Sequence, residues 1–101
     1  MALVIKQHGF LSSKYLKVKD QYLTISVPSL VSNRQYWEYS NIDFILMSPD
    51  NVLSIQQGGE VFSIRTKPSR AKHQRTIRRL VELTASAHMY TGGFPVLPVG
   101  Q

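Results

Sequence analysis

The chain has 101 residues, a size that supports one modest hydrophobic core and not two. Hydrophobic residues make up 43% and charged residues 18%, which argues against overall disorder, and the lack of cysteine excludes disulfide staples, thiolate chemistry and cysteine-based zinc sites. The formal net charge of +6 points toward anionic partners, whether nucleic acid, a membrane surface or an acidic protein.

Residues 1–6 carry an apolar run shorter than a signal-peptide core, and no later segment approaches the length of a membrane span, so the chain reads as cytoplasmic and without a transmembrane segment. Residues 3–7 read as a first strand ending at His8-Gly9. In residues 14–19, Leu16 and Val18 share one face while Tyr15, Lys17 and Lys19 share the other. Asp20-Gln21 turns the chain, and residues 22–27 place Leu23, Ile25 and Val27 inward, the alternation of an antiparallel hairpin with one buried face. Residues 28–33 break the pattern and read as a loop. Residues 34–39 resume it, with Trp37 and Tyr39 assigned to the core and Tyr36 and Glu38 to solvent; burial is the usual use of a lone mid-strand tryptophan.

A three-strand meander follows over residues 42–47, 51–57 and 60–66. Its first turn is Pro49-Asp50-Asn51, and its second is Gly58-Gly59, a two-residue hairpin turn that needs φ > 0. Ile42, Phe44, Leu46, Leu53, Ile55, Phe62 and Ile64 are assigned inward. Ile45, Met47, Val52 and Val61 then fall on the outer face and form a candidate interaction surface for a protein partner or a second copy of the chain.

Pro68-Ser69 closes the sheet and opens a helix running to about Met89, with Ser69 as its expected N-cap. Ile77, Leu80, Val81 and Thr84 fall within roughly a 100° sector, which reads as a lid over the meander; His73 lies on the same side as a packed or rim residue. Lys72, Arg75, Arg78 and Arg79 lie opposite. With Arg65, Lys67 and Arg70 they make seven basic residues between Glu60 and Glu82 with no acidic residue intervening. This set is either a polyanion-binding surface or a solvated face. Glu82 is the only acidic residue on the helix, so the charge reads as uncompensated locally. After a single domain over residues 1–90, residues 91–101 read as a flexible Gly/Pro tail.

No catalytic, cofactor or metal site is assigned. The six carboxylates stand singly, the three histidines show no His-x-x-x-His or carboxylate spacing, Gly58-Gly59 lacks the Lys-Ser/Thr of a phosphate loop, and no serine sits in Gly-x-Ser-x-Gly. The expectation is a non-enzymatic protein.

The aromatic strand running into an isoleucine strand (Trp37-Glu-Tyr-Ser-Asn-Ile42), the hairpin from Val52 to Ile64, and the helix core Ile77, Leu80 and Val81 together resemble the pleckstrin-homology-like superfold, particularly its small bacterial domains. The resemblance spans about residues 12 to 88. It implies a mainly β, α+β fold: a partly open barrel of about seven antiparallel strands in two packed sheets, capped by one C-terminal helix. The basic loop with which eukaryotic members bind inositol phosphates has no match here. Two functions follow as expectations. One is a protein-interaction or self-assembly module using an exposed sheet edge or the groove between edge strand and helix; the other is a polyanion binder laying its basic helix face on nucleic acid or an anionic membrane.

Overall fold

The computed structural model describes residues 3–8, 13–27, 34–89 and 96–98. The first four strands, β1 (Leu3–His8), β2 (Ser13–Val18), β3 (Leu23–Ser26) and β4 (Arg34–Trp37), form one antiparallel sheet in chain order. A single 3₁₀ turn, Tyr39–Asn41, leads into β5 (Phe44–Met47), β6 (Val52–Gln57) and β7 (Glu60–Arg65), which form the second sheet. One helix, α1 (Ala71–Ala87), follows. The fold is therefore α+β and strand-rich, with two sheets and no closed barrel among the described residues.

Alternation fails in β3, where Thr24 is buried between Leu23 and Ile25, and in β5. Ile42 is buried as expected, but Phe44 and Leu46 are only partly buried, whereas Ile45 is 3% exposed and Met47 packs against the core. The cause is the 3₁₀ turn: Ile42 is its cap, with its N–H donated to the Tyr39 carbonyl at 3.3 Å, and the strand begins only at Phe44. Pairing with β6 then sets the phase, Ile45 opposite Ile55 and Met47 opposite Leu53, and a shift of one residue exchanges the faces of a strand. Ile45 is thus a core residue, and Met47 faces inward and packs against the core. Of the expected interaction face, Val52 and Val61 remain outside, joined by Phe44 and Leu46.

The turns follow their residues. Asn51 has φ 66°, tolerable for asparagine, and its N–H reaches the Ser48 carbonyl at 3.0 Å. Of Gly58 and Gly59 only the first has φ > 0, at 58°, which matches a turn demanding glycine at its first central position; the Gly58 N–H also donates to Asp43 Oδ2 at 2.7 Å.

Three residues after the helix, β8 (Val96–Pro98), pair in parallel with β5, Ile45 opposite Val96 and Met47 opposite Pro98. A flexible tail was expected there. Residues 91–95 and 99–101, the rest of that tail, lie outside the described residues, as does the loop at 28–33.

The helix does not roof the meander as expected. It packs chiefly on β1, β2 and the 3₁₀ turn, while inward residues of both sheets and Leu80 form one core that buries Trp37 and Tyr39. Its buried stripe is His73, Thr76, Leu80 and Thr84, with Ile77 and Val81 only half-buried beside it. The two threonines fit inside because their hydroxyls donate to carbonyls one turn back, Thr76 to Lys72 and Thr84 to Leu80, both at 2.7 Å. No described helix is long and apolar enough to cross a membrane.

Candidate functional site

In β1 the buried Ile5 fixes the phase, so Val4, Lys6 and His8 point to the other side of the strand. Gln7 Oε1 accepts the Arg65 N–H at 2.8 Å and ties β1 to the end of β7. The chain leaving β7 is pinned next: buried Thr66 donates both its N–H and its hydroxyl to the Asn51 carbonyl, each at 2.8 Å. The Arg70 N–H then closes a turn on the Lys67 carbonyl at 3.0 Å.

The N-cap of α1 is Arg70 and not Ser69, and the Arg70 side chain makes no capping hydrogen bond. Buried His73 supplies the bracing, accepting the Lys67 N–H on Nδ1 at 2.9 Å, while Gln74 Nε2 donates to the Pro68 carbonyl. A local turn and one histidine thus hold the loop from β7 against the first turn of α1.

These elements enclose a cleft of about 290 Å³ lined by Val4, Lys6, His8, Lys67, Arg70, Lys72 and His73. It continues into a recess of about 240 Å³ that shares Lys6, His8, Lys67 and His73 and adds Gln7 and Arg65. Five cations from β1, β7, the loop and α1 therefore converge, and no carboxylate is among the described residues lining either space. The positive field is felt at the floor. Burial first, then Arg70, Lys67 and Lys72, hold the His73 imidazolium form down, so its pKa lies below the ordinary 6.5.

Of the seven basic residues picked out by sequence, Arg65, Lys67, Arg70 and Lys72 are brought together here. Arg75 and Arg78 are exposed further along the helix and line neither space. Arg79 is drawn into ion pairs, 3.5 Å from Asp20 Oδ1 in the β2–β3 turn and 3.6 Å from Glu82 Oε2, so its charge is compensated, contrary to expectation. Lys6 was missed. Its only signal was its position out of phase with Ile5, which places it on a face without saying what that face meets.

Such an arrangement attracts anions. Lysine and arginine side chains present donors and no acceptors, and the one buried imidazole already uses its Nδ1 on the backbone. On the far face of the second sheet, Phe44, Leu46, Val52 and Val61 surround a Ser54–Ser63 hydroxyl pair at 2.8 Å, and Val61 is 62% exposed. No family model matches the chain, and no curated protein or solved structure is significantly similar to it.

Proposed function

We propose that the chain is a non-enzymatic binding module on a pleckstrin-homology-like scaffold, and that it holds a polyanion in the cleft between β1, the end of β7 and the start of α1. One observation carries this reading: five cations from four chain segments converge with no carboxylate among the described lining. Stability does not account for the cluster, because like charges repel and cations at a helix N-terminus oppose its dipole, each by a few tenths of a kcal/mol. The groove expected between an edge strand and the helix is this same cleft, and its charge suits an anion better than an apolar peptide. Binding to heparin, to anionic vesicles and to nucleic acid at low salt tests the proposal. Affinity should fall steeply as salt is raised and should be lost in Lys67→Gln/Arg70→Gln/Lys72→Gln. Absence of binding to all three at low salt would refute it.

A second reading rests on the outer apolar face of β5–β7, where Val61 is exposed and Phe44, Leu46 and Val52 are half-buried. Self-association through Phe44, Leu46, Val52 and Val61 would cover it, and Val61→Glu should then convert an oligomer to a monomer in sedimentation velocity. A wild-type chain that sediments as a monomer at high concentration rejects this reading.

A further inference from the structure

We infer that the anion taken by the cleft is a compact oligophosphate, two or more adjacent phosphate groups without an aromatic base, held free in solution and not as part of a polymer or a bilayer. The inference rests on the polyanion reading above and adds the identity of the ligand.

Shape argues first. The cations surround a concave space of about 290 Å³ with a side recess of about 240 Å³, and buried His73 with half-buried Val4 forms part of its wall. A duplex or a membrane plane meets a protein across a broad face, and the residues placed for that, Arg75 and Arg78 on the exposed side of α1, lie outside the cleft. The concentrated charge is where a small ligand fits.

Chemistry argues second. Among the described lining residues no Phe, Tyr or Trp offers a stacking platform for a base, and no carboxylate is present to accept sugar hydroxyls. Gln7 Oε1 is already engaged by the Arg65 N–H. Besides the two histidines, what remains is donors: three lysines as point charges, and two arginines whose planar forks match phosphate oxygens.

The helix adds a third element. Arg70 gives no side-chain cap and the first turn holds no acidic residue, so the positive end of α1 beside the cleft is not neutralised by its own sequence.

Isothermal titration calorimetry of the full chain with inorganic tripolyphosphate tests the inference, with ATP, a single-stranded oligonucleotide and phosphatidylglycerol vesicles as parallel arms. Tripolyphosphate should saturate a single site, and ATP should bind no more tightly. Lys67→Gln/Arg70→Gln should weaken binding at least about tenfold, while Arg75→Gln/Arg78→Gln should leave it within about twofold. Circular dichroism checks that both variants are folded; should the first not be, Lys6→Gln, at an exposed position of β1, takes its place with a smaller loss in the same direction. Tighter binding of ATP than of tripolyphosphate, or equal losses from the two double variants, overturns the inference. Vesicle or oligonucleotide binding without tripolyphosphate binding overturns it and leaves the polyanion reading standing. Binding in no arm removes both.

Discussion

The two ends of α1 carry spaces of similar size and opposite character. At the N-terminal end lies the basic cleft; at the C-terminal end a space of about 310 Å³ is lined by Asp20, Gln21, Glu38, Tyr39, Ser40, Leu83, Ser86 and Ala87. Both run against the helix dipole, since α1 has no acidic residue in its first turn and no basic residue in its last. The difference lies in how the charges are used. At the C-terminal end Asp20 and Glu82 flank Arg79, and the Tyr39 hydroxyl donates to the Lys19 carbonyl, so the polar groups secure the β2–β3 turn to the helix and to the 3₁₀ turn. At the N-terminal end none of the five cations forms an ion pair among the described residues, and the loop is secured by backbone groups and the side chains of Thr66, His73 and Gln74. Paired charge serves the fold. The unpaired charge is what the proposed polyanion binding would use.

The most disruptive test of this comparison removes what the two ends share. Leu80 is fully buried midway along α1, and Leu80→Ala should cost about 2–5 kcal/mol by leaving a cavity under the helix. Chemical denaturation would measure the cost, and polyanion binding should weaken with it because both ends lose their seat.

Next in size is the separation of binding from stability. Lys67→Gln/Arg70→Gln should lower polyanion affinity by about 1.4 kcal/mol or more, yet leave the denaturation midpoint equal or slightly raised through relief of repulsion. A large fall in stability would show that these residues hold the fold together, and the contrast between the two ends would collapse.

The ends should also respond to opposite extremes of pH. His73 titrates below 6.5 in the folded chain, so the unfolded chain takes up its proton first; its contribution is present above pH 6.5 and is lost as pH falls below it. Tyr39 behaves in the reverse sense. Burial raises its pKa from 10.0 to about 12, so its contribution is present below pH 10 and is lost as pH rises from 10 toward 12. Stability profiles of His73→Asn and Tyr39→Phe should therefore flatten the acid and alkaline limbs respectively, with Tyr39→Phe costing about 1 kcal/mol at neutral pH for the lost hydrogen bond. Identical acid limbs in wild type and His73→Asn would contradict the first half.

The smallest effect belongs to Arg79. Its pairs are partly exposed, so Arg79→Gln should cost between about 0 and 1 kcal/mol and should leave polyanion binding unchanged. Loss of binding in this variant would extend the functional surface along the helix beyond the cleft.

Most of the scaffold was legible because its signals are local. Seven strands and one helix were read from period-2 and period-3.6 patterns, and the turns were marked by Asp20-Gln21, Asn51 and Gly58. The misreadings occur where the deciding partner is remote. Ile45 and Met47 were placed outside because the phase was counted from Ile42, whereas pairing with Ile55 and Leu53 sets it. The helix stripe was read as Ile77, Leu80, Val81 and Thr84, and it lies instead toward Thr76, because an apolarity scale does not anticipate a threonine burying itself with its hydroxyl bonded one turn back. The residues now forming β8 include Pro98 and follow Pro95, and composition says nothing of a parallel pairing with β5.

By itself the amino-acid sequence determined a strand-rich fold with a C-terminal helix and an excess of basic charge between Glu60 and Glu82, since alternation, turn chemistry and net charge are properties of neighbouring residues. Only the tertiary structure decided which of those charges act together. It brought Lys6 to Lys67, Arg70 and Lys72, and it carried Arg79 away to Asp20, because docking β1 beside β7 and the start of α1 sets distances that no spacing along the chain encodes.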